Sequence, residues 1–297
     1  MPIRRIRPLA IAGSLGLAVA LVGCSAGGAA DAELGSADNP VQLGVVGASD
    51  PYWAVYEEAV EAEGIELEII DFTEYTQPNP ALSEGELDVN QFQHIQYLAD
   101  YNVSSGEDLQ PIGATAIYPL GLYSDKYASP EEIPDGETVV VPNDTVNQAR
   151  GLLVLQSAGL IELAGGGSSA STLEDVLPAS RVQVEAVDAA LTVNSLPDVA
   201  GAVVNNDFLG PAGLSAQDAL YADDPSDPSA LPYVNIFATR ADDADDEVLL
   251  RLVEIFQGDQ EVLDGLLETS GGTAVFATTP ADELQASLAE VEEALQG

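Results

Sequence analysis

From Val41 onward, short segments of strand character alternate with stretches of helical length, and that rhythm restricts the chain to an α/β sheet with crossover helices. Val41-Gln42-Leu43-Gly44-Val45-Val46 reads as a first strand, and Ser49-Asp50-Pro51 supplies a cap and a first-turn proline for a helix to about Glu63, which Gly64 closes. Ile65, Leu67 and Ile69 alternate with Glu66 and Glu68 as a second strand. Pro80 to Ser83 suits a short helix, and Leu87 to Asn90 a brief strand before a helix over about Gln93 to Tyr101. An extended stretch from Pro111 to Tyr123 follows, and then the pattern restarts. The second unit has a helix near Ser129 to Glu132, a strand from Thr138 to Val141 and a helix from about Asp144 to Ala158. It continues through Gly165-Gly166-Gly167-Ser168-Ser169, a helix near Thr172 to Leu177, and strands near Val182 to Glu185 and Val199 to Val204. It ends in Asp223-Asp224-Pro225-Ser226-Asp227-Pro228. Tyr233 to Thr239 is again a strand, followed by helices at roughly Asp243 to Phe256, Asp259 to Leu267 and Asp282 to Leu295. No internal repeat of fixed period is present.

The first residues are a processing signal and not part of that fold. Arg4, Arg5 and Arg7 precede an apolar run from Leu9 to Val22 that ends in Leu21-Val22-Gly23-Cys24. The run is shorter than the roughly 20 apolar residues of a comfortable membrane span. Small residues leading into the chain's only cysteine resemble a bacterial lipobox, which implies a signal peptide over residues 1–23, cleavage before Cys24 and lipid on its thiol. The alternative is an ordinary buried cysteine beside a leader. A Gly-, Ala- and Ser-rich tether over residues 24–38 follows. The remaining length, about 260 residues, is enough for two domains of ordinary size, which fold without disulfides if Cys24 is lipidated. Loss of the leader leaves Lys126, Arg150, Arg181, Arg240 and Arg251 as the permanent cations against 50 Asp and Glu. Such a surface repels phosphate backbones and anionic lipid, so nucleic-acid binding is excluded at useful affinity. The acids are dispersed and show no metal-loop spacing, so a solvated surface accounts for them better than a cation sink.

Four flat side chains, Tyr75, Phe92, His94 and Tyr97, lie close together in a chain that is only 6% aromatic. Such a cluster either fills a core or lines a pocket. His94, the one histidine, has no catalytic context: there is no Gly-x-Ser-x-Gly elbow, no free cysteine and no partner at a telling spacing. Metal-ligand spacings and a phosphate loop are missing too, so no metal or cofactor is implied. In Val141-Pro142-Asn143-Asp144-Thr145-Val146-Asn147-Gln148-Ala149-Arg150 a strand ends in a polar turn that opens a helix, with Asn143 or Asp144 as cap. The free N–H groups of such a helix start suit a carboxylate. Arg150 shares a helical row with Val146, Ala149 and Leu153, so it is not simply a solvent-facing cation. Two partners stay open for it, a ligand carboxylate or one of the chain's own acids. Asn205 and Asn235 end strands, where open α/β sheets place ligand groups, and their amides can serve both poles of a zwitterion. Each is alternatively a turn or edge residue that satisfies backbone.

These segments together resemble the NlpA/MetQ family, the methionine-binding lipoproteins that serve ABC importers. The likeness rests on Asp71-Phe72-Thr73-Glu74-Tyr75 with Gln77-Pro78-Asn79, on Asp88-Val89-Asn90 with Phe92-Gln93-His94 and Tyr97-Leu98, and on Tyr118-Pro119 with Gly121-Leu122-Tyr123-Ser124. It extends through Val141-Pro142-Asn143-Asp144 with Asn147 and Arg150 to Pro232-Tyr233-Val234-Asn235. The resemblance implies a periplasmic-binding-protein type II-like fold, two α/β lobes joined by two crossover strands with the ligand in the cleft. Residues 39–120 and 232–297 would form one lobe and 121–231 the other, with crossings near Tyr118 to Ser124 and near Tyr233, where the pattern restarts.

By the same resemblance Tyr75, Phe92, His94 and Tyr97 enclose the ligand's side chain, Arg150 takes its carboxylate, Asn205 and Asn235 hold its polar end, and Asn147 joins the binding set. A thioether suits such a box, because sulfur–aromatic contacts add about 0.3–1.5 kcal/mol, at best roughly a tenfold preference over leucine. Gln96 where the family often has Pro, Thr145-Val146 for a usual Pro-Thr, Ala149 for a usual Gly, and a missing Gln-Leu-Pro around Leu191 to Ser195 are departures. The implied function is that of a non-enzymatic, lipid-anchored receptor on the extracytoplasmic face of the cell membrane. Its expected ligand is L-methionine, with D-methionine, another apolar amino acid or a small peptide as alternatives, and its partner is an ABC permease. A lipid-anchored hydrolase using His94 and a non-transport surface protein are readings of a different class, and both predict no tight amino-acid binding.

Overall fold

The computed structural model describes residues 32–296; the expected signal peptide over residues 1–23, the lipobox and Cys24 lie outside them. The part of the expected tether nearest the fold is itself folded. A bridge joins Ser36 to Asn39, and Gly35, at φ +78°, is buried so closely that a Cβ there would meet Ile65 Cγ2 at 2.9 Å. Folded structure thus begins before residue 39.

Elements then follow the expected rhythm. β1 (Val41–Val46) leads into α1 (Pro51–Ala62), opened by a first-turn proline and burying Tyr52, Trp53, Tyr56 and Val60. Next come β2 (Leu67–Phe72), α2 (Pro78–Ser83), β3 (Val89–His94), α3 (Ile95–Ser105) and β4 (Leu109–Ala114). β3 runs four residues past the expected brief strand, to His94, and all of its residues are buried. Its polar sequence conceals an interior strand, because buried amides rather than apolar side chains occupy half of it. The helix expected from Gln93 therefore starts only at Ile95.

Crossing to the second half, the chain forms β5 (Ala116–Ile117), β6 (Gly121–Tyr123), β7 (Thr138–Pro142), α4 (Thr145–Ser157), β8 (Gln183–Val187), α5 (Ala189–Thr192), β9 (Gly201–Val204) and β10 (Tyr221–Ala222). The helices expected near Ser129 and Thr172 are single 3-10 turns, Pro130–Glu132 and Leu173–Asp175, each ended by an extended residue. On its return the chain makes β11 (Asn235–Arg240), α6 (Glu247–Gly258), α7 (Gln260–Thr269), β12 (Val275–Phe276) and α8 (Ala281–Gln296). β11 begins at Asn235 and not at Tyr233, because the stretch before it, which contains Pro232, is a 3-10 turn.

Two five-stranded sheets result. The first has the order β2-β1-β3-β11-β4, with β1 parallel to β2 and β3, and β11 antiparallel to β3 and β4. The second has the order β10-β6-β9-β7-β8, with β7 parallel to β8 and β9. β5 and β12 form a small antiparallel pair beside the outward crossing. Trp53, Tyr56, Phe237 and Phe256 form the aromatic centre of the core that α1, α6 and α7 share with the first sheet. Leu82, Ile95, Leu98, Ile236 and Leu284 make a second core under α2, α3 and α8. Leu122, Val139, Val141, Leu152, Leu155 and Val203 fill the core between α4 and the second sheet. A fourth apolar cluster joins Val46 and Phe92 of the first sheet to Tyr123, Val140, Ala202, Val204 and Phe208 of the second half, with Tyr75 and Tyr97 against it. The two lobes therefore meet over side chains, and the cavity lies at that seam.

Candidate functional site

The turn that carries Tyr75 is fixed by a knot of buried amides. Asn79 Nδ2 donates to Gln93 Oε1 (2.7 Å), Asn90 Nδ2 donates to Asn79 Oδ1 (2.9 Å), and Gln93 Nε2 donates to Asn79 Oδ1 (2.6 Å) and Asn90 Oδ1 (2.9 Å). Every member finds a partner, which is what permits three amide side chains to sit in the interior. Next to this knot β3 bulges: Ile236 lies opposite Gln93 and Phe237 opposite Gln91, so Phe92 is passed over in the ladder. A bulge of this kind re-aims a side chain beside a site. Phe92 then stands 5.9 Å from the Tyr75 ring and 5.8 Å from the Tyr97 ring, and Tyr75 stands 6.0 Å from Tyr97.

His94 ends β3 and caps α3. Its Nδ1 accepts from the Tyr97 backbone N–H (3.2 Å), which leaves Nε2 to donate to Asn147 Oδ1 (3.3 Å). Burial, reinforced by the Arg150 charge, pushes the imidazole pKa down to about 3, so the ring is neutral. Its edge packs against Tyr97 and Tyr233, with ring centroids 6.4 and 5.3 Å away.

From the second lobe, α4 presents Asn147 and Arg150. Asp144 caps this helix, its Oδ1 accepting from Asn147 N (2.8 Å) and Asn147 Nδ2 (3.1 Å). Asn147 Oδ1 also accepts from Asn205 Nδ2 (3.1 Å), so a chain of amides runs from His94 in one lobe to Asn147 and Asn205 in the other. Two buried oxygens nearby, Asp144 Oδ2 and Asn205 Oδ1, have no hydrogen-bond partner among the described residues. Burial raises the Asp144 carboxyl to about 6 despite its capping bonds.

Arg150 is buried, and of the two partners left open for it the structure shows the chain's own acid. Its Nε donates to Asp223 Oδ2 (2.7 Å), while Nη2 donates to Asp223 Oδ1 (3.1 Å) and the Tyr118 carbonyl (2.9 Å). The guanidinium also lies over the Tyr233 ring, 4.4 Å from its centroid. Asp223 Oδ1 accepts from Leu120 N as well (2.7 Å), so this ion pair ties the outward crossing to the return. Nη1 makes no hydrogen bond among the described residues.

A cleft opens between these groups, with rings on one side and amides and a guanidinium on the other. Tyr75, Phe92, His94, Tyr97, Asn147, Arg150, Asn205 and Asn235, all eight residues expected at the site, line it. Asn235 opens β11 opposite His94, and its carbonyl accepts from Thr115 N (2.8 Å). Tyr118, named from the sequence only as the start of a crossing, and Asp207 line the cavity too, and neither is among the residues expected at the site. Phe208, 5.0 Å from the Tyr75 ring, backs the aromatic wall from the second lobe. Asn206, Asp207 and Phe208 follow Asn205 directly, so the polar strand end carried a signal for them. Among the expected departures, Ala149 is fully buried beside Arg150, whereas Leu191 on α5 is 54% exposed and does not line the cavity.

Two α/β sheets crossed twice by the chain, with a ring-walled, amide-lined cavity at their seam, define a two-lobe substrate-binding protein. The chain belongs to the NlpA lipoprotein family, whose sequence model matches residues 41–277. The D-methionine-binding lipoprotein MetQ of Escherichia coli K12 is 34% identical over 277 residues, covering 91% of this chain and 98% of that one. A periplasmic substrate-binding protein of an ABC transporter from Coxiella burnetii superposes with a TM-score of 0.73 at 35% identity, covering 80% of this chain and 100% of that one. A nutrient-binding protein from Burkholderia cenocepacia, solved bound to methionine, gives a TM-score of 0.73 at 33% identity, covering 80% of this chain and 99% of that one.

Proposed function

We propose that this protein is the lipid-anchored receptor of an ABC importer and that it closes its two lobes over a free amino acid, L-methionine first. The observation that carries the reading is the cavity's division into an aromatic part, Tyr75, Phe92, His94 and Tyr97, and a polar part that holds a guanidinium and an unpartnered amide oxygen. An amino acid has the same division. Its apolar side chain would lie among the rings, with sulfur–aromatic contact favouring a thioether by about 0.3–1.5 kcal/mol. Its carboxylate would take the Nη1 edge of Arg150, a charge-assisted bond that closure strengthens by excluding water. Arg150 is oriented for that role by Asp223 and Tyr118 rather than left free to search for it. The E. coli and Burkholderia relatives support the choice of methionine, and the site does not by itself select one enantiomer. His94 is no general base in this scheme, since both of its ring nitrogens are already held.

The anchor would be Cys24, placing the protein on the extracytoplasmic face of the membrane beside its permease. A Cys24→Ser chain should then take up no lipid precursor. Calorimetry of the ligand-free protein against the free amino acids tests the binding reading. Saturable binding of methionine is expected, and failure of every amino acid to bind would remove the receptor assignment in favour of a surface protein of another kind.

A further inference from the structure

Asp207 is a carboxyl at the cavity with no cation beside it. It sits in the 3-10 turn Asn206–Phe208, two residues beyond Asn205 at the end of β9, and lines the same cavity as Arg150. Its Oδ2 accepts from the Tyr75 hydroxyl (2.7 Å), a contact between the lobes, while Oδ1 makes no hydrogen bond among the described residues. None of the ion pairs among the described residues includes it.

The groups that face Asp207 are themselves acids. Asp50 and Tyr52 come from the start of α1, Tyr75 from the turn after β2 and Tyr118 from the outward crossing. Arg150, the cation of this cavity, is already paired with Asp223, and His94 is neutral. Asp50 occupies the cap position of α1 without capping it, and its Oδ1 lies 3.6 Å from where a Cβ on Gly210 would be, so it bears on the same stretch of the second lobe. A part-buried carboxyl beside a second carboxyl and neutral phenols, with no cation to offset them, holds its proton to higher pH than a free one. Burial first, and Asp50 after it, push the Asp207 pKa up to about 7 against the lowering effect of the Tyr75 bond.

Two residues before it, Asn205 Oδ1 is buried and has no partner among the described residues. A carboxylate oxygen and an amide oxygen, two residues apart on one strand end, are acceptors for a group with several N–H donors and a positive charge. Resting on the amino-acid reading above, we infer that Asp207 is the counter-ion of the ligand's α-ammonium group, with Asn205 Oδ1 as its second acceptor. The ammonium replaces the proton on Asp207: the carboxylic acid and the –NH3+ group become a carboxylate–ammonium pair, and one proton leaves to the buffer. Binding is then linked to pH and discriminates against ligands that lack the amine.

Calorimetry of the purified protein with L-methionine, in two buffers of different ionisation enthalpy at about pH 6.5 and again at about pH 8.5, reads this linkage. Release approaching one proton per ligand is expected at the lower pH and none at the higher. The des-amino analogue 4-(methylthio)butanoate should bind more weakly by roughly tenfold to hundredfold and release no proton. An Asp207→Asn variant keeps an acceptor for Tyr75 and should lose both the proton release and most of the discrimination between the two ligands. If the variant binds L-methionine with the proton release and discrimination of the natural protein, Asp207 is not the counter-ion, although the receptor reading survives. Equal proton release by both ligands from the natural protein overturns the inference without recourse to the variant. Absence of L-methionine binding at either pH overturns the inference through the receptor reading itself.

Discussion

His94 has both ring nitrogens committed, Nδ1 to the Tyr97 amide and Nε2 to Asn147 Oδ1, and burial with the Arg150 charge holds it neutral with a pKa of about 3. As the chain's sole histidine it offers an unambiguous probe. Its ring resonances should show no titration between about pH 5 and pH 8, with the proton on Nε2 throughout; a midpoint near the ordinary value of about 6.5 would overturn the wall assignment. The four rings Tyr75, Phe92, His94 and Tyr97 were legible in the sequence because one turn, one strand and the first turn of the helix after it bring them together locally. Tyr233 meets His94 and Arg150, and Asp207 and Phe208 meet Tyr75, only because the chain crosses to a second sheet and back; the polar strand end at Asn205 pointed to the last two, but no spacing encodes their approach to Tyr75. Asp223 was hidden for another reason. It lies in the acid-rich run Asp223-Asp224-Pro225-Ser226-Asp227, and nothing local distinguishes the acid that meets Arg150 from those left in water.

At the scale of elements, the Arg150–Asp223 pair clasps the crossings, and any closure of the lobes proposed above would turn on them. Asp223 Oδ1 accepts from Leu120 N on the outward crossing, and Arg150 Nη2 donates to the Tyr118 carbonyl on the same segment. The strand–helix alternation announced both sheets, yet β3 was read too short. A run of Asn, Gln and His carries no hydrophobic alternation, and only the Asn79–Asn90–Gln93 knot makes such a strand tolerable in a core. An Asp223→Ala substitution would leave Arg150 Nε and Leu120 N without an acceptor, with only the Tyr118 carbonyl still holding Nη2. Because the Asp223 side chain is 30% exposed, the cost should fall below that of a fully buried pair, about 1–3 kcal/mol. Thermal unfolding should show that loss, and methionine affinity should drop with it, since Arg150 would no longer be held in orientation. An unchanged unfolding midpoint would show that the clasp contributes nothing to the joint.

For the whole molecule, 50 acids and few cations make repulsion a general term, and the partly buried carboxyls give it a definite pH dependence. Burial raises Asp144 to about 6 and Asp207 to about 7, and it raises the more exposed Asp50 to about 6 with help from Asp71. The unfolded chain releases these protons near the ordinary carboxylate value of about 4. Between about pH 4 and pH 7 the folded protein therefore holds more protons on these groups, and stability falls as pH rises through that window. His94 acts in the opposite sense, because the unfolded chain binds its proton below about 6.5 and the folded protein does not, but it is one group against several. Glu131 and Asp224, whose pKa values are lowered by bonds to Ser129 and Ser226, are fully exposed and add little. The ligand-free protein should accordingly melt several degrees higher at about pH 5.5 than at about pH 8, taking about 2–4 °C for each kcal/mol in a domain near this size. Added salt should raise the midpoint more at pH 8, where repulsion is strongest and screening has more to remove. Methionine at saturation should narrow the gap between the two pH values, since an ammonium beside Asp207 removes the main reason for that carboxyl to keep its proton. A midpoint that falls on acidification across this window would instead mean that paired, ionised carboxylates dominate the stability, against the burial of Asp144 and Asp207.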